Sequence, residues 1–355
     1  MRRKLQGRTL FVQKNGKGRG WSIYLTTALI CLAIFYSFLY FWPIVPNTSN
    51  VDDKTVYKVK IAPQSSLASI SMQLSEQGIA NPAALFQVSA RALFVGSKLK
   101  PGTYLLPTGA SLGSVLMQIA RGDRVKESIT IIPGMTIWQL RALIDAHPAL
   151  IHQTKGLSSK ALLQSLNLEY PSDEGIFYPD TYIFDPEETD TTIYRRASQA
   201  MQKQLNLAWE QRAQNLPLKS PYDLLILSSI VEKETGRSSD RGLIGAVFIN
   251  RLNEGMMLQT DPTVIYGLGS RFDGNLKRAD LRKDTPYNTY MHKGLTPTPI
   301  AMPSKESILA ASHPAKSNAL YFVAKGDGTS HFSNTLSEHE LAVDRYQRKL
   351  APKLN

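Results

Sequence analysis

Hydrophobic and polar positions along the chain fall into three regimes. Residues 21–45 (WSIYLTTALICLAIFYSFLYFWPIV) are apolar and carry no charge, a run longer than the roughly 20 residues that cross a bilayer core. After a short polar linker at 46–50, runs of period two alternate with stripes of helical period. Residues 56–61 (VYKVKI) read as a strand, 67–78 as a helix closed by glycine, 81–93 as a helix opened by an Asn-Pro step, 102–106 as a strand and 111–119 as a helix. Further on, 125–132 is strand-like up to Pro133-Gly134, and 136–146 is helical with Thr136 as N-cap. Helices follow at 192–210, 223–236 and 243–252, then a hairpin at 320–324 and 330–333, and a last helix at 337–350. The third regime has no period. A loop surrounds residues 173–186, and from 255 to 304 Gly and Pro recur throughout. Long loops in compact domains usually carry function, and Tyr266, Tyr287, Asn288 and Tyr290 favour a binding surface there.

The pattern predicts an α+β protein in four parts: a basic tail at 1–20, a transmembrane helix at 21–45, a linker with a small α+β subdomain at 46–124, and a mixed helical and β-hairpin domain at 125–355. Charge sharpens this picture. The chain carries a net +12, of which the first 20 residues supply +7 with no acid, leaving +5 for the remaining 335. The excess is a tail beside an apolar span, which membrane lipids explain better than nucleic acid. Basic residues before the span and Asp52 and Asp53 after it place the N-terminus in the cytoplasm and the rest outside. A cleaved signal peptide would need a shorter apolar core and a small-residue cleavage site, and Phe41-Trp42-Pro43-Ile44-Val45 offers none. The expectation is therefore a single-pass inner-membrane anchor with a periplasmic catalytic domain. The only cysteine, Cys31, lies within the span, so the exported part has no disulfide and no cysteine metal site.

Chemistry is concentrated in residues 224–236 (LLILSSIVEKETG). On a helix, Leu227, Ile230 and Val231 lie seven, four and three positions before Glu234, so the four share one stripe. Glu232 instead follows Ser228 and Ser229 in a more polar sector. One acid is expected to be sheltered and the other wet. Desolvation raises a carboxylic acid's pKa toward the range useful to a general acid, which makes Glu234 a candidate proton donor. The same position also suits a buried acid paired with Arg237 or Arg241. No metal or cofactor is expected: His331 and His339 lack a HExxH pattern, and neither a nucleophile elbow nor a Walker-type loop is present.

Several blocks resemble a known family. Val231-Glu232-Lys233-Glu234-Thr235, then Val247-Phe248-Ile249-Asn250-Arg251-Leu252, then Leu258-Gln259-Thr260-Asp261-Pro262-Thr263-Val264-Ile265-Tyr266-Gly267 are similar to the YceG-like endolytic murein transglycosylases. Glu174-Gly175, Tyr178-Pro179-Asp180-Thr181-Tyr182, Tyr287-Asn288-Thr289-Tyr290, His313-Pro314-Ala315, Tyr321-Phe322-Val323 and Glu338-His339 support the likeness. The resemblance implies that Glu234 is the essential catalytic residue and that the small subdomain is LysM-like. It implies an endolytic lyase that cuts between N-acetylmuramic acid and N-acetylglucosamine in peptidoglycan strands, leaves 1,6-anhydro ends and terminates elongation, with peptidoglycan synthases as possible neighbours. Gln259, Asp261, Tyr266, Tyr287, Asn288 and Glu174 are then expected at the substrate, or else as loop supports. Asp240, Asp261 and Glu174 are candidates for a second carboxylate. One stretch departs from the family pattern: Thr296, Thr298 and Ser304 stand where proline or glycine is usual. The competing readings are a hydrolytic muramidase and a non-catalytic, membrane-anchored peptidoglycan-binding scaffold.

Overall fold

The structure is a computed structural model, and it describes residues 18–46 and 56–348. The tail up to residue 17, the linker at 47–50 and the end of the last expected helix lie outside the described residues. The chain divides into two compact units, residues 1–126 and 127–355.

The first unit begins with α1 (Gly18–Phe41), followed by β1 (Val56–Ile61), α2 (Leu67–Glu76), α3 (Ala83–Ala92), β2 (Gly102–Pro107) and α4 (Leu112–Arg121). Among the described residues one helix, Ile23–Phe41 within α1, is long and apolar enough to cross a membrane. Its Leu25, Leu29, Leu32 and Ile34 are exposed, which excludes a buried core helix and leaves an anchor or a signal peptide. Strands β1 and β2 pair antiparallel, Val59 opposite Tyr104. Their inward residues Val59, Ile61, Tyr104 and Leu106 close a core with Leu74, Phe86, Leu112 and Ile119. Ser66 and Ser111 cap α2 and α4 with their hydroxyls. Ile44 and Val45, just past the apolar helix, belong to this core.

The second unit contains β3 (Glu127–Thr130), α5 (Ile137–Asp145), β4 (Leu150–Ile151), α6 (Ser159–Leu166), β5 (Thr181–Phe184), β6 (Glu188–Thr189), α7 (Asp190–Glu210), α8 (Pro221–Glu234) and α9 (Ser238–Asn253). It continues through α10 (Asp261–Leu268), α11 (Lys305–Ser312), the hairpin β7 (Tyr321–Ala324) and β8 (Ser330–Ser333), and α12 (Leu336–Val343), which ends in a wider π turn at Asp344–Arg348. Its sheets are two-stranded: β3 with β5 antiparallel, β4 with β6 parallel, β7 with β8 antiparallel. The centre is α8, packed by α7, α9, α10 and α11.

That central position corrects one expectation. Leu227, Ile230 and Val231 are buried as the stripe predicts, but Ser228 and Ser229 are buried just as fully. Helices surround the middle of α8, so Ser228 and Ser229 do not form a wet sector. Its serines are satisfied locally, Ser228 by the Leu224 carbonyl at 2.6 Å and Ser229 by the Ile226 carbonyl at 2.7 Å. The long loops also contain more order than their pattern implied. Residues 255–304 include α10, with Pro262 in its first turn, and residues 173–186 include β5.

Candidate active site

Ser220 opens α8 by accepting from the Asp223 N–H at 3.1 Å, with Pro221 in the first turn. Glu234 is its final residue. A helix C-terminus carries partial negative charge, so this position already disfavours a carboxylate. The Glu234 side chain faces a cavity of about 550 Å³ shared with Arg251, Gln259, Asp261, Tyr290, Tyr321 and His339. The pKa of Glu234 is raised, chiefly by burial and further by Asp261; a hydrogen bond from the Thr260 hydroxyl and the nearby Arg251 act the other way. Desolvation dominates. The result is a carboxylic acid held toward its protonated form, with one hydroxyl contact and an open side.

Glu232 has a different role from the one its sector suggested. Its side chain is only 8% exposed. It accepts from the Ser304 N–H at 2.9 Å and the Ser307 hydroxyl at 2.6 Å, and so holds the N-terminus of α11. Arg241 lies 3.9 Å from it. Of the two arginines that periodicity offered to Glu234, Arg241 therefore serves Glu232. Ser304 departs from the family pattern, yet its hydroxyl caps α11 and also meets Glu232. Thr296 and Thr298 are similarly used: the Thr296 hydroxyl donates to the Thr298 carbonyl at 2.8 Å, and the Thr298 and Tyr287 hydroxyls lie 2.9 Å apart.

The other expected substrate residues divide into two groups. Gln259 and Asp261 do line the Glu234 cavity. Asp261 is held by the Tyr290 hydroxyl at 2.6 Å. Gln259 sits at a left-handed φ of 48°, uncommon for a residue with a side chain, and its N–H donates to the Thr289 carbonyl at 3.1 Å. Tyr266 lies on a separate, larger cavity of about 930 Å³. Two positions are corrected, because both are fully buried and present no surface to a sugar. Asn288 donates to the carbonyls of Leu281 at 3.0 Å and Lys283 at 2.7 Å, and accepts from the Tyr290 N–H at 2.9 Å, which pins the loop. Glu174 accepts from the Ile137 N–H at 3.0 and 3.1 Å, the Gly175 N–H at 3.1 Å and the Tyr266 hydroxyl at 3.1 Å. Burial pushes its pKa up to about 7 against these donors. Tyr287 packs edge-on against Tyr266, ring centroids 4.9 Å apart, and Asp240 accepts from the Ser330 N–H at 2.7 Å beside the hairpin.

Periodicity gave no role to Thr260, Arg251 or His339. Arg251 is 7% exposed and donates to the carbonyls of Leu320 at 2.6 Å and Leu258 at 2.7 Å. It thereby ties β7 to the segment that carries Thr260. An arginine closing the apolar run 243–249 was the available signal, since such a group needs acceptors when buried. His339 stacks on Tyr321 at 5.2 Å, and burial lowers its pKa. Thr260 had no signal beyond preceding Asp-Pro. One other cluster, Asp145, His152 and Asp190, brings potential ligand atoms within 4.8 Å of one another. Asp190 there already accepts from the N–H groups of Gln153 and Thr154 and from the Thr154 hydroxyl at 2.7 Å, as a loop lock does.

A sequence model of the YceG-like family matches residues 59–345. The chain belongs to the YceG-like family. A Bacillus subtilis relative named endolytic murein transglycosylase is 33% identical, the match covering 83% of this chain and 86% of the relative. A Streptococcus pneumoniae protein of the same name is 28% identical, and here the match covers 83% of this chain but 59% of the longer relative. A solved YceG-like protein from Listeria monocytogenes is 28% identical, with a TM-score of 0.49 over 81% of this chain and 99% of that one. The family match spans both units, and Glu234, Thr260 and Asp261 fall within it.

Proposed function

We propose that this YceG-like chain is a membrane-anchored endolytic lytic transglycosylase, with Glu234 as its single acid and base. The substrate is the β-1,4 bond from N-acetylmuramic acid to N-acetylglucosamine inside a peptidoglycan strand. Protonated Glu234 donates to the glycosidic oxygen as the bond to C1 breaks. The resulting carboxylate takes the proton from the muramoyl C6 hydroxyl while that oxygen bonds to C1. Glu234 ends protonated as it began, one strand carries a 1,6-anhydro end, and no water is consumed. An internal nucleophile gains effective molarity on the order of 10⁵ M or more, so a second carboxylate is not required. The observation that carries this reading is the enclosed, proton-retaining Glu234 carboxyl opening onto a polar cavity. A pure binding scaffold gains nothing from such a group.

Arg251 and the Thr260 hydroxyl are placed to stabilise the carboxylate formed after the first transfer. Asp261 supplies negative charge near the developing positive charge at C1. It also supports the second reading, hydrolysis, in which a second carboxylate activates water.

The apolar helix serves in this proposal as a retained anchor, with the N-terminus in the cytoplasm and both units outside. Its supporting observation is the join after α1. Leu112 N–H donates to the Trp42 carbonyl at 2.7 Å, Ala80 N–H to the Ile44 carbonyl at 2.8 Å, and Ile44 and Val45 fill the core. Cleavage beyond Val45 would strip that unit of part of its interior. We further read the β1-α2-α3-β2 arrangement as a LysM-like module, and the anchored enzyme as ending strand growth beside the synthases. Glu234→Gln tests the catalytic assignment: it is expected to abolish cleavage of purified glycan, a loss of at least ~10² as for other lost general acids, with the fold intact by circular dichroism. Glu232→Gln, per folded molecule, is expected to retain cleavage. The reverse outcome contradicts the assignment.

A further inference from the structure

The cavity of about 930 Å³ that holds Tyr266 is separate from the one that holds Glu234, yet the two share a wall. Lys233 lines the larger cavity and Glu234 the smaller; Pro262 lines the larger and Asp261 the smaller. The ends of α8 and α10 thus form the partition. Trp138 and Tyr266 line the larger cavity side by side, ring centroids 4.8 Å apart and planes tilted by 40°, and Ile265 and Phe272 extend the apolar surface. Trp138 remains 40% exposed, a large aromatic ring turned to solvent in the cavity next to that of Glu234. Its volume lies at the upper end of the range for ligand sites, and an apolar wall with few polar rim groups suits a pyranose, whose faces are C–H and whose edge is hydroxyl.

Glu174 joins the two sides of this wall. It accepts from Ile137 N–H at the start of α5, one residue before Trp138, and from the Tyr266 hydroxyl on α10. The backbone is shaped to bring it there. Gly175 has φ of +78°, and a Cβ at that position would lie 2.4 Å from the Pro299 side chain. This arrangement accounts for a buried acid that the chemistry at Glu234 does not use.

We propose that this cavity is a sugar-stacking subsite, in which Trp138 and Tyr266 hold glycan rings beyond the scissile bond and Glu174 positions both walls. The proposal rests on the reading that the end of α8 cuts glycan. An enzyme that cuts strand interiors has rings on both sides of its acid, and the shared partition places this cavity along one of those directions.

The test uses the full-length chain in detergent, carrying Glu234→Gln so that nothing turns over, with peptide-free peptidoglycan strands as probe. Binding is followed both by co-sedimentation and by tryptophan emission. The chain has four tryptophans, at 21, 42, 138 and 209, so Trp138→Phe identifies the responding ring. The expected result is an emission change on binding that is lost in Trp138→Phe, and affinity weakened roughly five- to tenfold in Trp138→Ala. In the active enzyme Trp138→Ala is expected to raise KM while kcat changes little. Glu174→Gln, which keeps one acceptor, is expected to bind better than Glu174→Ala at equal folded fraction. Strands that do not bind, or that bind without moving Trp138 emission and equally well in Trp138→Ala, overturn the subsite. Undiminished cleavage by Glu234→Gln would overturn the catalytic reading instead, and leaves the binding result to decide the cavity.

Discussion

Glu174 and Glu234 are two acids of one unit that burial pushes in the same direction, Glu174 to about 7 and Glu234 also upward. They differ in what surrounds each carboxyl. Three backbone N–H contacts and a tyrosine hydroxyl surround Glu174, and no part of the residue is exposed. Glu234 has one side-chain donor, Thr260, and a cavity beyond it. A shifted pKa therefore does not separate the acid proposed to be catalytic from the structural one. Unsaturated, accessible lone pairs do. Glu232, two residues before Glu234, makes the same point from another side, because its Oε2 is committed to Ser304 and Ser307 and its Oε1 lies 3.9 Å from Arg241.

The sharpest way to separate these roles is to titrate the fold. Glu174 has an ordinary value of 4.5 and a folded value of about 7. The folded state therefore holds a proton that the unfolded chain releases between those values, so stability is highest at low pH and falls as pH rises through that window. Glu174→Gln should remove a change on the order of 3 kcal/mol across it, measured by denaturant unfolding at pH 4.5 and 7.5. A pH dependence equal to that of the wild type would assign the shift to another group.

Glu232→Ala strips acceptors from the start of α11 and should cost about 2 kcal/mol of stability, read in the same unfolding experiment, with folded molecules still active. A smaller effect is expected at the active carboxyl itself. Thr260→Val removes the hydrogen bond that lowers the Glu234 pKa. Because the reaction begins with the protonated acid, the alkaline fall of kcat should move to higher pH, while maximal kcat drops roughly tenfold with loss of carboxylate stabilisation. A shift to lower pH would break the comparison at its catalytic half.

Much of this was legible in the residue pattern, and the failures have physical causes. Regular elements with clear periods were readable: β1 and β2, α5 with Thr136 as its N-cap, and the β7–β8 hairpin. Glu234 could be found because its stripe is uniformly apolar. The polar sector of α8 was misread, since serines look solvent-facing in sequence but can return their hydroxyls to their own helix when other helices surround it. Short helices were invisible for a different reason: α10 and α11 span eight residues each, too few for a period to emerge among Gly and Pro. Asn288 and Glu174 stayed open between sugar contact and loop support, because their polar character is visible in sequence whereas their backbone partners are not.

Whether Glu234 works without water is decided by the products. Digestion of purified glycan strands by the full chain in ¹⁸O-labelled water, followed by mass spectrometry of the new ends, should give unlabelled 1,6-anhydro termini, each lighter than a hydrolysed end by one water. New reducing ends carrying the heavy oxygen would contradict the claim and make the enzyme a muramidase.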